Sequence, residues 1–235
     1  MTAVPFPETL AAFKADPLSL LWKNPGIWLV DKPSGPSSNL WVIRARKALN
    51  EKRVGHAGTL DPLASGLLIL LAGNATRLFD HMQDFTKTYV AGFRLGEKTD
   101  SQDITGKLIE NFVPGVSLPI PHALVEEHLK QFRGDIMQLP PMHSALKKDG
   151  QPLYKLARKG VEVERTPRPM VVSRLELVDF DGVSGVLAMD VSKGFYVRTL
   201  IDDLGASLAT GAVMTTLSRT AIGPFDLASA RDIYA

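Results

Sequence analysis

One carboxylate stands in a glycine-containing segment, GHAGTLDPLASG, which runs from Gly55 to Gly66. Asp61 precedes Pro62 in this segment, and the apolar run Leu67–Leu71 that follows has the length of a buried strand. Because glycine permits backbone paths that other residues hinder, the segment predicts a loop that presents Asp61 on a rigid support. An ionised carboxylate there can act as a nucleophile or a general base. The alternative is an ordinary turn or capping aspartate.

Several short elements are expected to position this loop. Apolar or alternating runs predict strands at residues 27–30, 67–71, 88–95, 170–180 and 186–191, and another from about 213. Helical patterns occur at 39–49, 124–132 and 199–208, with a short one near 9–14, and Ser37 and Ser38 are expected to cap the first of these. Since there is no regular βαβ rhythm, we predict an α+β fold on a mixed sheet.

The domain organisation predicted from the chain is simple. Residues 1–25 are proline-rich and form an N-terminal extension, either packed on the domain or loosely tethered to it. Residues 26–235 are predicted to form one catalytic domain, interrupted at about 134–160 by a long, polar and basic insertion. A segment of that kind inside a compact domain is usually functional.

Composition excludes several classes of protein. Hydrophobic residues make up 45% of the 235 residues and charged residues 22%, which is typical of a globular protein rather than a disordered one. No stretch reaches the roughly 18 apolar residues of a membrane span, and the N-terminus does not resemble a secretory signal. With no cysteine, and five histidines without metal-ligand spacing, neither thiolate chemistry nor a metal is expected. We therefore expect a cytoplasmic protein that binds no membrane.

The net charge is only +2, but the basic residues are clustered. Residues 147–174 contain eight basic and three acidic residues, and residues 44–53 contain five basic residues against Glu51 alone. Each cluster is either a solvated face or a phosphate-binding surface, because phosphate binding depends on local positive charge.

The loop resembles the catalytic loop of the TruB family of tRNA pseudouridine synthases, which has the pattern GH-small-G-x-LDPLA-small-G. Further motifs resemble the family in the same order: VDKPSGPSS (30–38), KTYV (87–90), and SKGFYVRT (192–199) followed by IDDLG (201–205). Residues 142–146 and 153–160 resemble the RNA-gripping insertion of the family, so that the likeness covers about residues 26–232.

The resemblance implies a mainly antiparallel pseudouridine-synthase sheet flanked by helices, with a basic RNA-binding insertion. It also implies a reaction that breaks the N1–C1′ bond of uridine, rotates the uracil and rejoins it through C5. No electrons are exchanged, so no cofactor or metal is expected. Asp61 is then the catalytic group, attacking the uracil or removing a sugar proton. Arg198 would pair with it and orient the carboxylate; otherwise, it is a solvent-facing arginine at a helix start.

Further residues are assigned by the same resemblance. Tyr89 would stack on the target base, and Tyr196 and Leu217 would line the uracil pocket, although each alone is typical of an ordinary sheet or core position. Lys32 and Pro33 are expected to brace the catalytic loop rather than to perform chemistry.

The implied substrate is the uridine at position 55 in the T-loop of tRNA, which must be flipped out of its stack. His56 would fill the vacated space, whereas an isolated histidine in a loop is otherwise a plain surface residue. Basic side chains of the insertion would clamp phosphates: Lys147, Lys148, Lys155, Arg158 and Lys159.

Two departures and three alternatives accompany this interpretation. Bacterial members generally continue into a C-terminal RNA-binding domain, often of the PUA type, which we expect this chain to lack, and Ala57 stands where threonine is common.

We expect tRNA as partner, no obligate protein partner, and a monomer. The alternatives are a non-catalytic tRNA-binding and folding chaperone, a guide-RNA-dependent synthase, and a glycosidase, which needs a second acid. Retention of Asp61, Tyr89 and Arg198 together argues against the chaperone.

Overall fold

The computed structural model describes residues 6–23, 26–109, 114–148, 150–231 and 233. Its α-helices are α1 (Phe6–Ala15), α2 (Ser38–Ala48), α3 (Phe79–Gln83), α4 (His122–Leu129), α5 (Leu153–Ala157) and α6 (Val197–Ser207). Its strands are β1 (Gly26–Lys32), β2 (Val54–His56), β3 (Ser65–Ala72), β4 (Lys87–Leu95), β5 (Gly134–Gln138), β6 (Lys147–Lys148), β7 (Gln151–Pro152), β8 (Arg168–Phe180), β9 (Ser184–Val191), β10 (Ala212–Ile222) and β11 (Phe225–Asp226). Short 3₁₀ helices occupy Pro17–Leu20, Gly73–Leu78, Lys130–Phe132 and Leu227–Ser229.

The chain divides into two compact units. The first comprises Met1–Val90 and Leu217–Ala235, and the second Ala91–Thr216, so the boundaries fall inside β4 and β10. Of the predicted N-terminal extension, residues 1–5 and 24–25 lie outside the described residues. The prediction of one catalytic domain from residue 26 onward stays a prediction.

The first unit is built around β3. Its residues Leu67–Leu71 are apolar on both faces and at most 1% exposed, as expected for a strand covered on both sides. One edge of β3 carries β1 in antiparallel register, and the other pairs antiparallel with β2 and parallel with β10. Phe13 of α1 joins the same hydrophobic core, so this part of the predicted extension is packed rather than tethered.

The second unit contains the antiparallel pair β8–β9 and the edge strand β5. β5 pairs antiparallel with β8, which means that residues 134–138 of the predicted insertion belong to the sheet. The remainder of that segment includes the small hairpin β6–β7 and the short helix α5.

The observed pairings confirm the predicted fold class. The pair β3–β10 is parallel, while the other pairs described above are antiparallel, so the sheet is mixed and mainly antiparallel with helices beside it. Among the described residues, no helix has both the length and the apolar composition needed to cross a membrane.

Candidate active site

The loop that carries Asp61 joins β2 to β3 in the first unit. Asp61 is half-buried, and its carbonyl accepts a hydrogen bond from the Ala64 amide at 3.1 Å, which closes a turn. Gly66 has φ +95°, and a Cβ atom there would lie 2.3 Å from the carbonyl oxygen of Arg219. Glycine is therefore required where the loop enters β3, because both the backbone conformation and the close approach exclude a side chain.

Ser38 ties α2 to this loop. Its hydroxyl donates to the Leu60 carbonyl at 2.8 Å and accepts from the Leu60 amide at 2.9 Å, and both residues are buried. Ser37 is the N-cap residue of α2, as predicted, but its side chain makes no capping hydrogen bond. The Ser38 hydroxyl instead fixes the residue immediately before Asp61.

Lys32 holds the other side of Asp61. Its ammonium, on a residue with no exposed surface, donates to the Pro33 carbonyl at 2.8 Å and the Pro62 carbonyl at 3.3 Å. The Gly35 amide also donates to the Pro62 carbonyl, at 2.7 Å. Lys32 therefore supports the loop, as predicted. Burial lowers the pKa of Lys32, the Asp61 carboxylate opposes this shift, and the Arg219 guanidinium adds to it.

Arg219, on β10, is a supporting residue that the sequence analysis missed. It is 2% exposed, and its guanidinium donates to the Leu67 carbonyl at 2.9 Å and to the Gly58 carbonyl at 3.0 Å. These two acceptors flank Asp61 in the chain, so a single planar cation holds both ends of the loop. The strand pattern indicated that Arg219 faces inward. Residues two apart lie on the same face of a strand, and Leu217 was expected to face inward.

His56 ends β2 and is half-buried. Burial lowers its pKa below the usual value of 6.5, and the positive charge of Arg219 lowers it further. The imidazole is therefore mainly neutral at pH 7. The charges of Asp61 and Arg219 both act on Lys32, and the charge of Arg219 also acts on His56, so three charged residues and the neutral His56 form an electrostatically coupled cluster in the first unit.

Two predicted pocket residues also belong to the first unit. Tyr89 lies on β4 and is half-buried. Leu217 lies on β10, is 8% exposed, and accepts a hydrogen bond at its carbonyl from the Ser65 hydroxyl at 3.3 Å. The strand carrying Leu217 is thus anchored where the Asp61 loop enters β3.

Arg198 lies in the second unit at the start of α6 and is 5% exposed, so the alternative of a solvent-facing arginine is wrong. Its guanidinium donates to the Ser101 and His143 carbonyls, each at 2.9 Å. Its Nε lies 3.8 Å from a carboxylate oxygen of Asp103, which the sequence analysis missed. The other Asp103 oxygen accepts from the Ser101 hydroxyl and from the amide and hydroxyl of Thr105. The pairing of Arg198 with Asp61 stays a prediction.

Tyr196 is the N-cap residue of α6 and is half-buried. The side-chain amide of Gln138, which is 1% exposed on β5, bonds both backbone groups of Tyr196: its oxygen accepts from the amide at 2.8 Å, and its nitrogen donates to the carbonyl at 3.0 Å. The edge strand β5 therefore fixes the backbone at the entrance of α6, two residues before Arg198.

The basic residues of the predicted clamp are on the surface of the second unit. Lys148 donates to the Glu164 carbonyl at 3.1 Å, and the Arg158 guanidinium lies 5.5 Å from the centre of the Tyr154 ring. All five of these cationic residues are exposed: Lys147, Lys148, Lys155, Arg158 and Lys159. Such side chains are available to a polyanion.

The arrangement brings Asp61, His56, Tyr89 and Leu217 into the first unit, while Arg198, Tyr196 and the basic segment belong to the second. Chemically, the first unit presents a half-buried carboxylate on a loop held by buried hydrogen bonds. Such a carboxylate can attack an electrophile or remove a proton. Within the described ranges, no group of three or more histidine, aspartate or glutamate residues is arranged to hold a metal ion.

Comparison with known families gives two matches. The model for the TruB family pseudouridylate synthase (N terminal domain) matches residues 46–197. The model for the tRNA pseudouridylate synthase B C-terminal domain matches residues 198–233.

Several similar proteins are named tRNA pseudouridine synthase B. The chain is 48% identical over 210 residues to tRNA pseudouridine synthase B of Azoarcus sp. (strain BH72), covering 89% of this chain and 69% of the relative. It is 46% identical over 203 residues to the protein of that name from Pseudomonas fluorescens (strain Pf-5), covering 86% and 65%. It is 46% identical over 206 residues to the protein of that name from Bordetella avium (strain 197N), covering 86% of this chain and 82% of the relative. The chain thus spans about two thirds of the first two relatives.

Two solved structures share the fold. A chain in a Cbf5–Nop10–Gar1 complex is 30% identical with a TM-score of 0.66, over 86% of this chain and 50% of that one. A chain in an H/ACA RNP bound to a substrate RNA containing 2′-deoxyuridine is 28% identical with a TM-score of 0.62, over 86% and 49%.

Proposed function

The chain belongs to the TruB family of pseudouridylate synthases, and from this premise we propose that it isomerises uridine to pseudouridine in tRNA. The observation that carries the proposal is the geometry of the Asp61 loop. A half-buried carboxylate stands between residues whose backbone is fixed by Ser38, Lys32 and Arg219. A reacting group held in this way has little freedom to lose when it meets the substrate.

The chemistry asks for one oriented carboxylate. The N1–C1′ bond of the uridine breaks, a C5–C1′ bond forms, and the hydrogen on C5 leaves as a proton while N1 gains one. Substrate and product are isomers, so no oxidant or reductant takes part. We assign Asp61 as the group that starts this sequence, either by attacking the uracil or by removing a sugar proton, and both routes need its ionised form.

Four residues are proposed to bind the reacting nucleotide: Tyr89, Arg198, Tyr196 and Leu217. Arg198 would align the Asp61 carboxylate, and its fixed position on the Ser101 and His143 carbonyls supports this role, because a held guanidinium loses little entropy on pairing. The half-buried ring of Tyr89 suits stacking on a base, and Leu217 and Tyr196 would complete the walls of the pocket.

The proposed target is uridine 55 in the T-loop, everted from its stack. His56 would occupy the vacated space, and its lowered pKa supports this role. A neutral imidazole enters a stack of bases with a smaller desolvation penalty than an imidazolium ion. The exposed basic side chains Lys147, Lys148, Lys155, Arg158 and Lys159 would bind the RNA backbone.

We further propose that the chain acts on tRNA as a cytoplasmic monomer without an obligate protein partner. The Cbf5 chain of the solved complex is accompanied by Nop10 and Gar1. The exposed cations of this chain support direct binding of RNA instead. Size-exclusion chromatography of the purified chain, with and without tRNA, tests the stoichiometry.

The decisive experiment incubates the chain with an unmodified tRNA transcript and maps pseudouridine by chemical sequencing. Asp61→Asn is expected to lower the rate of product formation by about 10³-fold, a loss within the range for removal of a positioned acid–base group, while RNA binding is retained. Asp31→Asn is the matched control, since Asp31 is an exposed carboxylate on β1.

Three outcomes are informative. Full activity of Asp61→Asn would show that the catalytic assignment is wrong. Product at another uridine would contradict position 55 but not the activity. RNA binding without product in the unmodified chain would favour the non-catalytic tRNA chaperone, which no contact among the described residues favours at present.

A further inference from the structure

The second basic cluster of the sequence lies on and after α2, in the first unit. Lys47 is in the last turn of α2, and Lys52 and Arg53 lie between this helix and β2. All three are exposed, and within the described part of the chain none of them is ion-paired with a carboxylate. Arg44, one turn before Lys47, holds its guanidinium 5.0 Å from the centre of the Trp41 ring. We refer to these four cations, Arg44, Lys47, Lys52 and Arg53, as the α2 surface.

The backbone beneath the α2 surface is fixed. The Arg46 side chain donates to the Val54 carbonyl at 3.2 Å, which joins α2 to β2. The Arg53 amide donates to the side chain of Glu51 at 2.8 Å, and the Arg53 carbonyl accepts from the Gly73 amide, also at 2.8 Å. The single acid of the cluster is therefore engaged with backbone, and the cations extend from an ordered turn.

The α2 surface is connected to the catalytic loop at both ends. α2 begins at Ser38, whose hydroxyl bonds the residue before Asp61. The turn after α2 leads directly into β2, which ends at His56. A polyanion that places a nucleotide at Asp61 and a loop against His56 would therefore meet these cations next.

We infer that the α2 surface binds phosphates of the substrate RNA beside the everted nucleotide, as a second site in addition to the basic segment of the second unit. This inference rests on the proposed function for the identity of the polyanion. Five basic residues against one acidic residue within ten positions give a strong local positive charge, and phosphate contacts scale with such charge. RNA is the occupant because the same unit carries the histidine proposed to enter it.

The test compares two charge-matched double variants, Lys47→Gln/Lys52→Gln and Lys14→Gln/Lys107→Gln, whose lysines are all exposed. The affinity for an unmodified tRNA transcript is measured from about 0.05 to about 0.3 M salt, together with KM and kcat. Because log K falls by about 0.7 to 0.9 per contact for each tenfold rise in salt, each contact contributes about four- to fivefold to affinity near 0.15 M. For Lys47→Gln/Lys52→Gln, the affinity for tRNA is expected to fall by about 15- to 25-fold. The slope of log K against log salt concentration is expected to become less steep by about 1.4 to 1.8. Its kcat at saturating RNA is expected to be unchanged.

Equal salt slopes and equal KM values for the two double variants would overturn the α2 surface as a phosphate site. A lower kcat with an unchanged slope would also overturn it, since the change would then lie in the catalytic loop. The proposed function fails separately, through absence of pseudouridine in the unmodified chain, and the binding measurements still decide whether the α2 surface contacts RNA.

Discussion

Arg219→Gln removes the cation that bonds both ends of the Asp61 loop. Glutamine fits within the volume of arginine but cannot reach both carbonyls, which the guanidinium contacts at 2.9 and 3.0 Å from two of its nitrogens. The Leu67 carbonyl belongs to a residue with no exposed surface, so water cannot readily replace the lost donor. The variant therefore leaves an acceptor unsatisfied at the start of β3 and frees the backbone at Gly58.

The expected loss can be worked out from these two contacts. A hydrogen bond from a charged group contributes about 1.5 to 3 kcal/mol, and a buried acceptor left unsatisfied costs a similar amount. Two such bonds give a loss of about 3 to 6 kcal/mol in the free energy of unfolding. For a chain of this length, this corresponds to a fall in Tm of about 6 to 24 °C. Arg219→Lys keeps the charge but not the two-pronged geometry, and is expected to lose about half as much.

Calorimetric melting and urea unfolding measure this loss. Arg94→Gln is the matched control, because Arg94 is 43% exposed and pairs with Glu97 on the surface, an interaction worth at most about 1 kcal/mol. In the pseudouridine assay, Arg219→Lys at a temperature where it is folded is expected to lower kcat more than it raises KM, since it loosens the Asp61 loop without removing an RNA contact. A loss of stability for Arg219→Gln no larger than that for Arg94→Gln would refute the reasoning.

Two further predictions concern the same loop. Ser38→Ala removes both bonds to Leu60 and is expected to cost about 1 to 3 kcal/mol of stability in urea unfolding, and a loss no greater than that of the exposed Ser37→Ala would contradict the bonding described. In an NMR titration, the pKa of His56 is expected below 6.5 and to move towards 6.5 in Arg219→Gln. Because the unfolded chain then binds this proton more readily than the folded one, the stability from neutral His56 is complete above pH 6.5 and declines as the pH falls below it; an unshifted pKa would count against this electrostatic account.

Regular periodicity made much of the fold predictable. The apolar run at residues 67–71 became the buried strand β3, and the alternating segment 170–180 lies within β8. Both predictions depend on residues that are neighbours in the chain, where burial on one or two faces dictates the pattern. The edge strand β5 was missed as a strand, because its exposed Met137 and surrounding polar residues hide the alternation that its pairing with β8 imposes.

Contacts between distant residues were not predictable in the same way. Ser38 follows a local rule for helix capping, yet its hydroxyl is satisfied by Leu60, 22 residues away. Arg219 is a charged residue in a strand, and such a residue usually faces solvent unless a partner is known. Its partners are backbone carbonyls, and since every residue has one, the sequence does not indicate which carbonyls Arg219 bonds. The position of Asp61 came from the motif, while its pairing with Arg198 stays a prediction.

The order of synthesis matters for the loop that carries Asp61. Arg219 contacts carbonyls that precede it by 161 and 152 residues, so the ribosome completes the GHAGTLDPLASG segment long before it makes β10. Domains tend to fold from the N-terminus as they emerge, but this brace can close only near the end of translation. A nascent or prematurely terminated chain that stops before residue 212 carries the whole motif, but its loop lacks the hydrogen bonds from Arg219. The growing chain therefore contains the complete motif before it can form the hydrogen bonds that hold the loop in place.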